Sequence, residues 1–322
     1  MADGPAFRAA FASAAPGLDP RAAWSIATDA IDRFGDGDAG AQTRYVVRSI
    51  ALARWAREVG LEALPEVIAA ISEHPEVGLD ALIAMATDPE LDRARVLADL
   101  EPYWKHSAVL RVPALAAQAM QALAPDATPE QLGAPPAIAK VWEQARLTEP
   151  KIVETLVGHG LIEASHVLPP STALARLVGP SLVFDVLVRA GVAASFDAES
   201  GMAEVPYREL FIETLVPLMK HLGEVEVVVT TTSLPNDSFR YELSLAAGAA
   251  RVATTLDSRS DYFDVERIVQ MTNELFAQSS SPSRVHPLRT GDQTVVLLCA
   301  PPKVARALAK ELGFSLARRT PV

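Results

Sequence analysis

The sequence predicts an α+β fold, in which a solenoid-like array of α-helical hairpins is followed by a small antiparallel sheet covered by helices. Apolar residues at helical spacing fill the first two hundred or so residues, and strand-like runs recur only between Glu224 and Cys299. Only 6% of the 322 residues are aromatic, which suits closely packed helices. We expect a helical repeat-like domain over residues 1–200 and an α+β module over 201–322, with the structural border near Phe196–Pro206.

Seven segments of the N-terminal part repeat apolar residues at helical spacing. Turn or cap residues such as Gly60, His74–Pro75 and Asp88–Pro89 separate them. The predicted helices lie near 20–34, 43–59, 61–73, 76–87, 90–106, 109–124 and 136–147. No strand pattern intervenes, so we expect stacked helical hairpins or an irregular bundle.

The sequence contains one internal repeat after these predicted helices. Ile152–Gly160 (IVETLVGHG) aligns with Val183–Gly191 (VFDVLVRAG) at an offset of 31 residues. A helix that ends in Leu-Val-x-x-Gly, repeated after about thirty residues, resembles the second helix of an ankyrin repeat. Any helical hairpin with a glycine C-cap gives the same pattern, so both interpretations stay open.

From Pro206 onward the pattern is helix, three strands, helix, two strands and helix. The predicted elements are the helix Pro206–Leu222, the strands Val225–Thr232, Phe239–Ala246 and Arg251–Leu256, a helix from Asp261 to about Gln278, the strands Arg284–Arg289 and Thr294–Ala300, and a last helix at Pro301–Pro302. Gly248 and the stretch 290–293 suit hairpin turns. Hairpins rather than βαβ crossovers predict antiparallel pairing.

The acidic charge is concentrated in the helical part. Residues 201–322 hold 14 acidic and 13 basic residues, which leaves 26 and 16 for residues 1–200, so −10 of the formal charge of −11 falls on the latter. Nucleic acid is disfavoured as a partner because phosphate binding needs clustered Lys and Arg. An acidic helical surface can steer a basic protein partner, although solubility alone also explains it.

Targeting signals and cysteine usage predict a cytoplasmic protein. The N-terminus has an acid at Asp3 instead of a basic region, so no export signal is expected. The longest charge-free run, Val112–Pro125, is shorter than the roughly 20 residues of a membrane-spanning helix. The lone Cys299 lies in an apolar run and cannot form an internal disulfide, so we expect it to pack in a core rather than act as a nucleophile.

No catalytic, cofactor or metal motif is predicted. Gly35–Gly40 matches the GxGxxG pattern, but a predicted helix precedes it and two aspartates within it would repel phosphate. As a calcium loop the same stretch has Val47 where a bidentate glutamate is needed. The six histidines are scattered, whereas a zinc site needs three or four converging ligands.

Two loops of the α+β module hold the candidate site residues. Asp257, Asp261 and Asp264 accompany Tyr262 at a predicted helix start, where they could chelate a divalent ion, contact a basic partner or cap the helix. The second loop contains Arg289, Asp292 and Gln293, which are typical of turn chemistry and could also contact a partner.

A resemblance bears on the choice between these roles. The stretches FDAESG, SDYFDVERIVQMTNEL and LRTGDQTVVLLCAPP resemble the C-terminal module of immunity-type proteins from bacterial polymorphic toxin systems, over residues 196–313. The resemblance implies stoichiometric protein binding. We therefore expect a non-catalytic intracellular protein–protein interaction protein of immunity type or regulatory type. A metal-dependent hydrolase using Asp257, Asp261 and Asp264, and a structural subunit of a larger complex, are the alternatives.

Overall fold

The computed structural model describes residues 49, 51–171, 177–199, 206–234, 238–258, 262–290 and 293–317. They combine helices with two antiparallel sheets, which confirms the α+β class. The chain divides into two compact units, the first comprising residues 1–147 and 170–182 and the second 148–169 and 183–322. The boundary predicted between residues 200 and 201 thus falls inside the second unit, because strand Ala193–Asp197 pairs with Thr294–Ala300.

The described elements follow in chain order. They are α1 (51–59), α2 (Leu64–Glu73), α3 (Pro75–Met85), α4 (Arg93–Leu100), α5 (Pro113–Leu123), α6 (Pro136–Ala139), α7 (Glu149–Gly158), α8 (Pro180–Arg189), β1 (Ala193–Asp197), α9 (Pro206–Glu209), β2 (Val225–Leu234), β3 (Ser238–Ala247), β4 (Ala250–Ser258), α10 (Val265–Gln278), β5 (Arg284–Pro287), β6 (Thr294–Ala300) and α11 (Pro302–Glu311). None of these helices is long and apolar enough to cross a membrane.

Prolines divide the first unit into shorter helices than the sequence pattern predicts. The segment 90–106 yields α4 and then a 3-10 turn at Tyr103–Lys105, because Pro102 has no backbone N–H with which to continue the α-helical hydrogen bonds. The segment 109–124 likewise starts as a 3-10 turn and becomes helical at Pro113. The segment 20–34 and the Gly35–Gly40 loop lie outside the described residues. The solenoid-like array stays a prediction.

A close helix contact of the first unit joins α2 and α3, which are linked only by His74. A β-carbon on Gly78 of α3 would lie 2.4 Å from the backbone nitrogen of Ile71 in α2 and 2.6 Å from its Cγ1 atom. Both residues are buried in the core of this unit. Glycine is therefore required at position 78 by the closeness of the two backbones.

The second unit contains two separate three-stranded sheets, in the orders β1-β6-β5 and β2-β3-β4. All pairs are antiparallel, and the predicted β3–β4 and β5–β6 hairpins are confirmed. The prediction of a single sheet was wrong, because β5 and β6 form a sheet with β1 rather than with β2, β3 and β4. The sequence pattern does not reveal β1. Ala193 and Ala194 lack the β-branched or aromatic character typical of strands.

The predicted amphipathic helix Pro206–Leu222 is observed as three successive windings. Four α-helical residues in α9 lead into π-helical Leu210–Leu215, and Val216–Leu222 follows as a 3-10 helix. Pro217 explains the irregularity, since it has no N–H for an α-helical bond and its ring would clash with the carbonyl of Glu213.

An aromatic cluster fills the core of the second unit. The Tyr207 ring of α9 is buried and lies 4.7 Å from the ring of Tyr241 in β3 and 5.0 Å from that of Phe263, measured between centroids. Phe263 lies 5.9 Å from Phe196 of β1 in an edge-on arrangement. Such geometries stabilise by about 0.5–1.5 kcal/mol beyond area burial. The cluster joins both sheets to the start of α10.

We expect Gly78→Ala to lower the stability of the first unit by roughly 1–3 kcal/mol, because the added methyl group forces α2 and α3 apart. Thermal or urea unfolding followed by circular dichroism measures the change. Gly158→Ala is the matched control, since a β-carbon on Gly158 meets no atom within 4 Å. Equal unfolding midpoints for the two variants would contradict the close packing at position 78.

Candidate functional site

The acidic group at the start of α10 is engaged with the helix itself. Asp264 is the N-cap residue, and its Oδ1 atom accepts a 2.9 Å hydrogen bond from the Arg267 backbone N–H. Asp261 and the side chain of Asp257 lie outside the described residues. Within the described part of the chain, no group of three or more His, Cys, Asp or Glu side chains could hold a metal ion.

Two backbone hydrogen bonds fix the segment that carries Tyr262. The Phe263 N–H donates to the Ala198 carbonyl at 2.9 Å, which ties the segment to the end of β1. The Asp264 N–H donates to the Tyr207 hydroxyl at 3.0 Å. Burial raises the pKa of Tyr207 to about 12, so the hydroxyl stays neutral at physiological pH. These two hydrogen bonds therefore fix the backbone on the C-terminal side of Tyr262.

Tyr262 and Gln293 converge on the carboxylate of Glu199. The Tyr262 hydroxyl donates to Glu199 Oε1 at 2.5 Å, and the Gln293 side-chain N–H donates to the same atom at 2.6 Å. The Ala198 N–H donates to the Gln293 carbonyl at 3.1 Å, which extends the β1–β6 pairing by one residue pair. We call Glu199, Tyr262 and Gln293 the contact cluster.

The contact cluster lies at the protein surface. Tyr262 is 47% exposed, and Glu199 and Gln293 are exposed too. Glu199 Oε2 has no hydrogen-bond partner among the described residues. The cluster can therefore accept a hydrogen bond from an incoming cation beside an accessible aromatic ring.

The structure places the other candidates of the second loop differently. Asp292 lies outside the described residues. Arg289 is exposed, and its backbone N–H donates to the Ser315 carbonyl at 2.9 Å, while no hydrogen bond or ion pair among the described residues joins its side chain to the contact cluster. Glu199 was missed by sequence reasoning. The only signal for it was its position in FDAESG, the first of the three stretches that carry the resemblance.

Another surface feature of this unit is an open cleft of about 510 Å³. Its lining comes from the segments after α7 and α8, together with one residue before β2: Leu161, Ile162, Glu163, Ser165, His166, Val167, Ala190, Gly191, Val192 and Lys220. The Nε2 atom of His166 is buried and has no partner among the described residues. The Ser165 hydroxyl donates to Glu163 at 3.4 Å. Glu163 and Lys220 both line the cleft, so its lining carries charges of both signs.

The internal repeat supplies two walls of the cleft. Leu161 donates to the Leu156 carbonyl and Gly160 to that of Val157, while Val192 and Gly191 make the equivalent bonds at the end of α8. Both are Schellman motifs, in which glycine takes a left-handed conformation, here with φ of +68° at Gly160 and Gly191. The aligned helices thus end in the same geometry. The ankyrin-like interpretation of the repeat stays a prediction.

The Arg189 side chain links α8 to α7 and to the segment after α7, part of which lines the cleft. Its guanidinium donates to Asp185 at 2.7 Å, to Glu149 of α7, and to the Pro169 carbonyl at 2.8 Å. Both carboxylates favour the charged form and outweigh desolvation, so the pKa of Arg189 is raised. Because its side chain is only 10% exposed, this pair of ion contacts is better shielded than a surface salt bridge.

Comparisons with protein-family models, with curated proteins and with solved structures give no match for this chain. Of the two features, the contact cluster includes two residues that the sequence singles out as partner contacts, and it presents an oriented aromatic ring and an open carboxylate oxygen. An accessible tyrosine ring is typical of protein-binding surfaces, which are enriched in aromatic residues.

We expect Asp264→Ala to lower the free energy of unfolding by about 1 kcal/mol, because the Arg267 N–H loses its capping acceptor. Asp264→Ser is the matched control, since serine keeps an N-cap oxygen. Urea unfolding of both variants measures the difference. An Asp264→Ala protein as stable as the wild type would show that the cap contributes nothing.

Cys299 should be unreactive in the native protein. Burial raises the pKa of its thiol to about 11, and the thiol faces the Leu218 carbonyl at 3.7 Å. Only the thiolate attacks a disulfide reagent and releases its aromatic thiolate, so at about pH 8 an aromatic disulfide should label native protein far more slowly than urea-unfolded protein. Native labelling should accelerate as the pH approaches the raised pKa. Equal rates in both states would contradict a partly buried thiol with a raised pKa, and Cys299→Ser gives the background rate.

Proposed function

We propose that this chain is a non-catalytic protein-binding protein that engages a basic partner through the contact cluster. The observation that supports this proposal most is the convergence of Tyr262 and Gln293, from loops on either side of α10, on the single carboxylate of Glu199. The immunity-type or regulatory role implied by the sequence resemblance belongs to the same proposal.

The contact cluster has the properties of a binding hot spot. Tyrosine is enriched where interfaces carry their binding energy, because its large ring loses few rotamers on burial. Here the Tyr262 hydroxyl is already bonded, and its neighbour Phe263 is fixed by the Ala198 carbonyl. Part of the conformational entropy that binding costs is therefore already lost in the free protein.

Charge favours a basic partner. Two further carboxylates lie close in the chain to members of the cluster, namely exposed Asp197, which accepts the Glu199 N–H at 2.9 Å, and exposed Asp264. Glu199 Oε2 is open to an arginine or lysine of the partner, and charge-assisted bonds of this kind are about twice as strong as neutral ones. The net charge of −11 would also accelerate the encounter.

The metal-dependent hydrolase that the sequence leaves open receives less support. Of the three aspartates that this hydrolase would use, only Asp264 has a described side chain. Its Oδ1 atom accepts a hydrogen bond from the backbone of α10. A carboxylate used as a helix cap is oriented along the helix axis rather than toward a shared ion. The structural-subunit alternative would require an exposed apolar patch of several hundred Å².

Binding by variants of the contact cluster tests the proposal. A partner is first isolated from the native host on the immobilised full chain at physiological salt, then purified, and its affinity is measured by calorimetry. We expect Glu199→Gln and Tyr262→Ala each to weaken binding by roughly 1–3 kcal/mol, and added salt to weaken wild-type binding. Melting temperatures should stay close to the wild-type value, because both side chains are exposed.

Glu154→Gln is the control for this experiment, since Glu154 is an exposed carboxylate on α7 whose partner is Lys151. It should bind like the wild type. The proposal fails if no partner is retained at physiological salt, or if the cluster variants bind as tightly as the control.

A further inference from the structure

We propose that the cleft after α7 and α8 binds a small zwitterionic molecule, namely a free amino acid with an apolar side chain. The lining offers such a ligand a negative side, a positive side and apolar walls. The cleft volume of about 510 Å³ lies within the roughly 300–1,000 Å³ of small-molecule sites. The cleft and the contact cluster have no residue in common, so this proposal is independent of the proposed function.

The two helices of the internal repeat end at the cleft. α7 and α8 are each ten residues long, and the cleft is lined by Leu161 and Ile162 after α7 and by residues 190–192 after α8. Aligned peptide dipoles give the C-terminal end of a helix a partial negative charge. The nearby guanidinium of Arg189 is already bound by two carboxylates. Two helix ends therefore favour a cationic group in the cleft, such as an ammonium.

Glu163 adds a full negative charge to the lining. Its Oε2 atom accepts the Ser165 hydroxyl at 3.4 Å, and its Oε1 atom has no hydrogen-bond partner among the described residues. A hydroxyl bond of that length is weak, so the carboxylate keeps most of its capacity to accept. A ligand ammonium has three donors and would form charge-assisted hydrogen bonds with Glu163.

Lys220 and His166 supply donors for the opposite end of the ligand. The Lys220 side chain is exposed, and no hydrogen bond or ion pair joins its ammonium to any described residue. The Nε2 atom of His166 is buried without a partner in the described part of the chain, which costs free energy. An imidazole nitrogen can donate. A ligand carboxylate would accept from Lys220 and, after a small turn of the ring, from His166.

Apolar side chains form much of the remaining lining. Val167 is 85% exposed, while Leu161 and Ile162 are partly buried. Covering such side chains removes apolar surface from water, which favours binding. An aliphatic ligand side chain would provide this cover. The cleft is therefore expected to bind an apolar amino acid more tightly than glycine.

Titration of the isotope-labelled full chain with free L-leucine, followed by amide NMR signals, tests the proposal. We expect leucine to shift the signals of residues 161–167 and 190–192 until they saturate. Three analogues each lack one part of leucine: isocaproate has no ammonium, isoamylamine has no carboxylate and glycine has no apolar side chain. The two charge analogues should each bind roughly tenfold more weakly or worse, because each loses a charge-assisted hydrogen bond. Glycine should also bind more weakly.

Two variants assign the ends of the ligand. Lys220→Gln should raise the dissociation constant of leucine by roughly tenfold but should not weaken isoamylamine, which has no carboxylate to lose. Glu163→Gln should weaken leucine to a similar degree but should not weaken isocaproate. Both side chains are exposed, so the circular dichroism spectra should not change. Lys303→Gln, at an exposed lysine of α11, is the matched control and should bind leucine like the wild type.

Three outcomes would overturn the proposal. The first is a spectrum that leucine leaves unchanged up to roughly 10 mM. The second is an analogue that binds as tightly as leucine, because the cleft would then not require both charges and the apolar side chain. The third is binding of leucine by Lys220→Gln and Glu163→Gln that equals binding by Lys303→Gln, since leucine would then occupy another place on the chain.

Discussion

The second unit depends on the buried hydroxyl and ring of Tyr207. The ring contacts Tyr241 of one sheet and Phe263, which in turn contacts Phe196 of the other sheet. The hydroxyl accepts the Asp264 N–H, a donor that would otherwise be unsatisfied beside an apolar cluster. The Tyr207 side chain thus contacts one sheet directly and the other through Phe263, and it also binds the N-cap residue of α10. These contacts fix the backbone next to Tyr262.

Local chemistry made much of this architecture predictable. Glycine in a short loop between two β-branched runs predicts a hairpin, and Gly248 occupies such a turn between β3 and β4. Tertiary effects account for the rest. β1 is short and alanine-rich, and only its pairing with β6, far along the chain, makes it a strand. The irregular winding after α9 results from one proline whose effect depends on the helix around it.

The candidate site was predictable to a similar degree. Asp264 precedes a helix by one residue, so its capping role follows from position, and Tyr262 and Gln293 were singled out as loop residues. Their shared partner, Glu199, could not be found in this way, because it reaches them only through the pairing of Asp197 with Thr294. Spacing within one segment contains no information about a contact between strands at distant positions.

The same pairing of β1 with β6 has a consequence for biosynthesis. β6 follows β1 by nearly a hundred residues, which at about 5–20 residues per second corresponds to roughly 5–20 s of translation. During that interval β1 lacks its neighbour. The β1-β6-β5 sheet can therefore form only after the C-terminal part of the chain has been synthesised. Until then the nascent protein is accessible to chaperones.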